Sequence, residues 1–443
     1  MTSRNNAALR SFDCDVIVIG GGPAGATAAT DLARRGRAVT LFERDIHPRF
    51  HIGESLLPMN IPILERLGVL DAVERIGVRK PGADFPAANE RGFNVFEFTR
   101  ALGNPPTYAF QVQRADFDEI LLRNAQAAGV CVHEQTEVLS VTFDADSGTS
   151  GSADSKSAMV EVRDDAGAVR QLRARYVVDA SGRQTLLGTQ LKLKERNRRH
   201  RSAAVFGHFT GIERRGEPYT GNISIYRFQL GWVWLIPLPN GITSIGAVCL
   251  PERLKQRGVD LESFLLDILR SVPGLSDRVA NARLTGHLEA TGNYSYECRR
   301  MCGPCWIMIG DAGAFVDPVF SSGVYLAMHG AERAAELVDR VLGGAAEVRM
   351  QRAYAREIRG GLRKFSWFIV RFTTPALAWL FANPRNILRV EDAMVAFLSG
   401  CVFEPAPALR RLRVFKLLYY VTSLFLWRET LRHFREVRRG SVS

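Results

Sequence analysis

Gly20, Gly22 and Gly25 stand at the spacing G-x-G-x-x-G, inside the run Gly20-Gly21-Gly22-Pro23-Ala24-Gly25. These residue types suit a dinucleotide pyrophosphate. Gly20 allows a tight turn, Gly22 lets a phosphate approach bare backbone, and Gly25 lets a helix lie close on the strand before it. A helix N-terminus then offers N–H groups and a partial positive charge to the phosphates. Pro23 and Ala24 belong to the same cofactor-binding loop. Glu43 follows about twenty residues on, where an acid can bond ribose hydroxyls.

Further candidates lie along the chain. Arg44 and Arg49 come just after Glu43. Ser55 precedes the helical apolar pattern Ile61, Leu64, Leu67, Leu70, Val73 and reads as a cap for that helix. Lys80 stands before Pro81, which puts it in extended or turn geometry at a helix end; on spacing alone it is an ordinary exposed lysine. Arg114 sits at a strand-to-helix joint and is placed to pair with a phosphate. Asp311, after an apolar strand, can bond a sugar-like chain. Ser322-Gly323 opens a helix whose N–H groups suit an anion or a flavin carbonyl.

Elements must position these groups. Val16-Ile17-Val18-Ile19 reads as a buried parallel strand, Ala26 to Arg35 as a helix, and Ala38 to Phe42 as a second strand closed by Glu43. Strand, glycine loop, helix, strand and acid fall in the order a dinucleotide site requires. Ala174 to Asp179 is a further buried strand ending in Ala180-Ser181-Gly182. Segments 203–210, 222–229, 231–238 and 243–250 lie at meander spacing and predict a second, antiparallel sheet. Alternation puts Trp232, Trp234 and Ile236 on one face of it. Residues 144–157 are rich in Ser, Gly and Asp and read as a hairpin loop. Lys192 to Arg201 reads as a solvated basic loop. Cys302-Gly303-Pro304-Cys305 precedes a strand rather than opening a helix, which is the wrong setting for a redox pair, and no His completes a zinc set with Cys298. No metal is expected.

The chain has 443 residues, 46% of them apolar, and a net charge of +12. Residues 407–443 hold nine Lys or Arg against two acids, so most of the excess sits in the tail and the body is only mildly basic. That argues against nucleic-acid binding by the body. The basic tail leaves three readings open: a solvated helix face, a membrane surface, or an acidic partner. Seven cysteines at irregular spacings fit a reducing compartment better than a disulfide framework. The polar first twelve residues and the absence of eighteen uncharged apolar residues in a row predict a cytoplasmic protein with no leader and no spanning helix.

The ordered set Gly20–Gly25, Asp179-Ala180-Ser181-Gly182, and Gly310-Asp311-Ala312 with Asp317-Pro318 resembles the FAD-dependent aromatic hydroxylases and flavin-dependent halogenases. The finer motifs resemble the halogenases. They are His51-Ile52-Gly53-Glu54-Ser55-Leu56-Leu57-Pro58, Arg79-Lys80-Pro81-Gly82-Ala83-Asp84-Phe85, and Trp232-Val233-Trp234-Leu235-Ile236-Pro237. Phe320-Ser321-Ser322-Gly323-Val324 is similar to the phenolic and carrier-protein-dependent branch. The resemblance implies an α/β fold: a Rossmann-like FAD-binding domain at 13–80, 111–190 and 283–345, with an inserted antiparallel β-sheet substrate domain at 81–110 and 191–282. A C-terminal helical region with the basic tail, 346–443, follows.

It further implies that FAD binds as FADH2 through Gly20, Gly22, Pro23, Ala24, Gly25, Glu43, Arg44, Arg49, Ser55, Arg114, Asp311, Pro318, Gly323 and Val324. A flavin C4a-hydroperoxide then oxidises chloride or bromide, held at Ser322 and Gly323, to hypohalous acid. Trp232, Trp234, Ile236 and Pro237 line the passage, and Lys80 delivers the halogen. A lysine suits this role, since its compact head has an adjustable pKa. Only one complete dinucleotide fingerprint is present, which implies a separate NAD(P)H-dependent flavin reductase. Tryptophan halogenases carry a glutamate just before the halide stretch. Phe320-Ser321 stand there instead, which implies a small phenolic or similarly electron-rich substrate, free or tethered to an acyl or peptidyl carrier protein. Two alternatives remain at this point: a monooxygenase or reductase of the same fold, and a membrane-associated flavoprotein without enzymatic activity.

Overall fold

The computed structural model describes residues 12–88, 92–144, 157–197, 202–229, 231–292, 295–403 and 407–439. The loop expected at 144–157 falls almost wholly outside these residues, as does the end of the basic run, 198–201.

The apolar runs become strands where alternating or continuous burial requires it. Cys14–Ile19 is flanked by Val39–Phe42 on one side and Val169–Asp179 on the other, all parallel. Trp306–Met308 and Cys131–His133 extend the parallel sheet at its two ends. Strands buried on both faces read as unbroken Val/Ile runs, as Val16–Ile19 does. Glu137–Phe143 and Ala158–Arg163 form an antiparallel hairpin that continues onto the long strand 169–179. Helix Pro23–Arg34 covers one face, packed against Arg114–Ala127 and Gly323–Leu342.

The second sheet has seven strands, in the order 283–292, 203–210, 243–249, 231–237, 223–228, 82–86, 93–97. Its pairs are antiparallel except Ile223–Phe228 with Gly82–Pro86, which run parallel. The expected boundary at 283 is too early. Arg283–Gly292 pairs with Ala203–Thr210, so it belongs to this sheet rather than to the nucleotide-binding unit. One face packs on helix Leu261–Ser271, whose start is capped by Asp260. The other face carries Trp232, Trp234 and Ile236 into the main core, shared with the first sheet's helices and the C-terminal helices.

The C-terminal region is helical: Glu347–Ile369, Pro375–Ala382, Val390–Leu398, Pro407–Phe425 and Trp427–Arg439. Phe365, Phe368, Phe372 and Phe397 close the core from this side. None of the described helices is long and apolar enough to cross a membrane.

Candidate active site

A cavity of about 640 Å³ runs between the two sheets and collects most of the expected site residues. At one end it is floored by the glycine loop. Gly20 adopts φ +101°, and a side chain there would strike the Ala180 carbonyl at 2.5 Å. A Cβ on Gly25 would come within 1.9 Å of the Gly20 carbonyl. Strand, turn and helix are thus locked face to face, as a pyrophosphate loop requires. Gly22 is different: a Cβ there would meet only the tip of Arg49, at 3.8 Å, because this glycine looks into the cavity. No side chain caps the helix that follows, whose first position is Pro23. An open glycine face, an uncapped helix N-terminus and a nearby guanidinium are the surroundings of a diphosphate.

Glu43 is 4% exposed, and its Oε2 accepts from the Gly21 N–H at 2.6 Å. Arg49 lies within 3.9 Å of Glu43 and 3.8 Å of Asp118. Arg44 is exposed at the rim, beside Asp45 and Gln184. Arg114 lines the cavity and is also engaged within the protein. It is buried, donates twice to Asp118 and once to the Ile52 carbonyl, and holds segment 49–55 in place. Opposite, Ala180, Ser181 and Gly182 line the cavity. Asp179, just before them, is used internally, accepting the N–H groups of Ser181 and Leu187. Asp311 also lines the cavity. Burial pushes its carboxyl up to about 6, against the pull of Arg183 and Arg114.

At the other end a short 3₁₀ turn, Pro318–Phe320, leads through Ser321 at φ +56° into helix Gly323–Leu342. Pro318, Ser321, Gly323 and Val324 line the cavity. Ser322 is 0% exposed, and its Oγ has no hydrogen-bond partner among the described residues. A buried hydroxyl with nothing to bond is costly unless it serves a ligand. Here it sits at the first turn of a twenty-residue helix, where the dipole favours an anion.

Trp232, Trp234 and Ile236 form the cavity wall on the second sheet, with ring centroids of the two tryptophans 5.5 Å apart. Trp234 donates its indole N–H to Ser244. Pro237 ends the same strand.

Lys80 departs from its expected setting. It ends a strand, Val78–Lys80, and is 1% exposed. Its ammonium donates to the Ser55 hydroxyl and the Leu56 carbonyl, each at 2.9 Å, and lies 5.5 Å from the Phe98 ring centre. No carboxylate among the described residues contacts it, and burial alone lowers its pKa to about 7. Ser55 therefore does not cap a helix. It bridges to Gln111 and stands between Lys80 and the cavity, whose wall it forms. The expected single helix after it is two, Ile61–Leu67 and Leu70–Ile76, broken at Gly68 in the left-handed region.

Sequence reasoning gave Glu54 no role. It is 1% exposed, takes a 2.7 Å hydrogen bond from His208 on Oε1, and leaves Oε2 unpartnered among the described residues. It ties segment 49–55 to the second sheet. Only its place inside a recognised motif could have marked it, because His208 lies 154 residues away. Cys302 lies on the first strand of a hairpin and Cys305 in its turn, and they form no disulfide. Burial raises the Cys302 thiol to about 11, so it has no thiolate character. No group of His, Cys, Asp and Glu among the described residues could hold a metal ion.

Residues 13–367 match the FAD binding domain family. A tryptophan 2-halogenase from Chondromyces crocatus is 36% identical over 365 residues, covering 81% of this chain and 67% of that protein. A 1H-pyrrole-2-carbonyl-(peptidyl-carrier protein) chlorinase from Pseudomonas fluorescens is 30% identical over 388 residues, covering 82% and 84%. Among solved structures, the myxobacterial chondrochloren halogenase CndH superposes with a TM-score of 0.74 at 31% identity, covering 89% of this chain and 98% of that one. With the glycine cradle and the Trp-lined wall in one cavity, and the buried lysine hydrogen-bonded behind it to Ser55, the chain belongs to the flavin-dependent halogenases and is an FAD-dependent halogenating enzyme.

Proposed function

We propose that this enzyme halogenates a phenolic ring and that Lys80 hands the halogen to it. The observation that carries this reading is the burial of Lys80 without a counter-ion, its head tied to the cavity wall through Ser55. Reduced FAD, when bound, supplies with oxygen the oxidising equivalents that turn halide into hypohalous acid. Everything else falls to the protein. The glycine loop and the first helix hold the diphosphate. Ser322 and the Gly323 helix entry hold chloride or bromide. The Trp232–Trp234 wall keeps the ring away from the flavin. Lys80 can polarise the hypohalous oxygen as an ammonium or take the halogen as an amine, since both forms exist near its pKa of about 7.

The phenolic preference rests on the turn before the halide site. Phe320 is 2% exposed and apolar, and the turn's one acid, Asp317, is engaged with the Val319 N–H and the Ser202 hydroxyl. No carboxylate is left there to help a less activated ring, whereas a phenol is activated by its own hydroxyl. The test supplies purified protein with FAD, a separate flavin reductase, NADH, oxygen and bromide or chloride, and a panel of phenols and free tryptophan. Mass spectrometry should show halogenated phenols well above halogenated tryptophan. Hydroxylated product without halogen would defeat the proposal. The reductase is a partner in this reading, because one dinucleotide fingerprint serves one cofactor.

Ser322→Ala should raise the halide KM about tenfold or more, as expected when an anion loses a hydrogen bond. The melting temperature should not fall, since the hydroxyl has no protein partner to lose. A KM unchanged within twofold would move the halide elsewhere.

The C-terminal helices carry a further contact. Nine of the exposed large apolar side chains fall between Leu417 and Phe434, among them Trp427, Leu431 and Phe434 on the last helix. Arg428, Arg432 and Arg435 are exposed beside them, while His433, Glu436 and Val437 turn toward the body. Aromatic and aliphatic groups flanked by arginine suit an anionic membrane surface. Removing the whole tail would also strip Ala408, Leu412, Phe415 and Tyr419 from the core, so point variants are the cleaner probe. Sedimentation with phosphatidylserine vesicles should fall at least fivefold in the triple Arg428, Arg432, Arg435→Glu variant. Vesicle binding absent in the wild type, with an acidic carrier protein captured instead, would assign the face to that partner.

A further inference from the structure

Arg227 is a cation set among apolar groups without a counter-charge. It lies on strand Ile223–Phe228, and alternation puts it on the same face as Ile223 and Ile225. In the register with the neighbouring strand, Ile225 stands opposite Trp234 and Arg227 opposite Trp232. The sheet face that walls the cavity therefore carries a guanidinium across from Trp232, although Arg227 is not itself among the residues lining the cavity. Nη2 donates to the Ala378 carbonyl at 2.9 Å, and the head lies 5.5 Å from the Phe372 ring centre. Phe372 in turn meets Trp232 edge-on at 6.4 Å. Nη1 is out of solvent and has no partner among the described residues. Burial alone pulls this guanidinium down to about 10, with no acid nearby to hold it up. Arg114 and Arg215, by contrast, each have a buried aspartate.

Arg227 is half-buried, but its Nη1 is shielded from water and unpaired, and a cationic donor in that state is expensive unless a ligand completes it. Its place along the strand says which part of a ligand. The Arg79 carbonyl packs against Gly221, so Lys80 enters at the Gly221 end of this strand. Arg227 is at the opposite end. Ile223 and Arg227 are four residue steps apart, about 13 Å of extended chain.

We propose that Arg227 binds an oxyanion carried by the substrate remote from its reacting ring, either the carboxylate of a free aromatic acid or the phosphodiester of a carrier-protein arm. The inference rests on the phenolic halogenase reading and adds to it a substrate class: rings with an anionic group at the end of a linker. Nη1 supplies the charged hydrogen bond, and Nη2 stays anchored to Ala378.

The test is equilibrium binding by calorimetry to full-length, FAD-loaded protein. The probes are 4′-phosphopantetheine, a series of ω-(4-hydroxyphenyl)alkanoates, and the matching amides. Wild type, Arg227→Met and Arg227→Lys are compared. An anionic probe should bind wild type and bind R227M at least tenfold more weakly, with partial recovery in R227K; the amides should not discriminate between the proteins. Which anionic probe responds identifies the source of the oxyanion. Equal loss for anions and amides, no loss for either, or no binding of any anionic probe to wild type overturns the proposal. Halogenation of unsubstituted phenol by the wild type is measured alongside. Product there with no dependence of anion binding on Arg227 sinks this inference alone, whereas no halogenated product sinks the reading beneath it.

Discussion

Lys80→Ala is expected to lower halogenated product by about 10²- to 10⁴-fold, the range for removing a group that handles a proton or its equivalent in the reaction. Release of hypohalous acid should continue, because the glycine loop and the Ser322 helix entry are untouched. Both quantities can be read in one experiment, product by mass spectrometry and released oxidant by a scavenger. Loss of both together would place Lys80 in cofactor binding instead. Arg should not substitute, since its guanidinium stays charged and cannot fit the Ser55 and Leu56 acceptors. The pH profile separates the two chemical roles. With a pKa of about 7, delivery through the ammonium falls as pH rises through 7, and delivery through the amine rises over the same interval.

The same burial has a cost in stability. The folded pKa of about 7 lies below the ordinary 10.5, so between these values the unfolded chain binds more protons than the folded one. Stability therefore rises with pH across that window, and the full cost is present below it. Lys80→Met should raise the melting temperature by several degrees at pH 6 and by less at pH 10, while abolishing halogenation. In its proposed role, Lys80 would be a case of the usual trade between stability and activity.

The sequence carried the cofactor end of this site more clearly than the catalytic end. Gly20 to Glu43 is local: strand, turn, helix and acid all lie within thirty residues, so periodicity and spacing suffice, and the structure sets Gly21 against Glu43 as expected of neighbouring strand ends. Trp232 and Trp234 were legible as a face by alternation alone, although not as a cavity wall. Lys80 was not legible from its surroundings. Its partners are 24 and 25 residues away, and burial comes from Phe98 and the strand Ala109–Gln111. Spacing made it an exposed lysine, and only the resemblance marked it as reactive. Arg114 lines the cavity as its position suggested, but its pairing with Asp118 one helical turn on, a local i, i+4 contact that the sequence displayed, was not read from it. Strand 283–292 was misassigned because its partner, 203–210, lies some eighty residues earlier and composition does not report pairing.

Gly25→Ala should abolish FAD binding and destabilise the protein, whereas Gly22→Ala should abolish FAD binding and leave stability nearly unchanged. The difference lies in what each new methyl would meet. At Gly25 it would stand 1.9 Å from the Gly20 carbonyl and 3.2 Å from the Ala180 side chain. The first is backbone in a turn already held at φ +101°, so the helix must move off the strand. Overpacking of this kind costs about 1–3 kcal/mol or more. At Gly22 the methyl would meet only the end of the Arg49 side chain, 3.8 Å away, which can swing aside. The folded protein tolerates it, and what it excludes is the diphosphate that would otherwise lie on that backbone. Flavin fluorescence quenching should show FAD affinity at least a hundredfold weaker in both variants. Thermal melts of the cofactor-stripped proteins should separate them, with G25A several degrees below wild type and G22A within about one degree of it. If G22A held FAD as tightly as the wild type, the diphosphate would have to lie elsewhere in the cavity, and the alignment of halide site, Trp wall and lysine with the flavin would need to be redrawn.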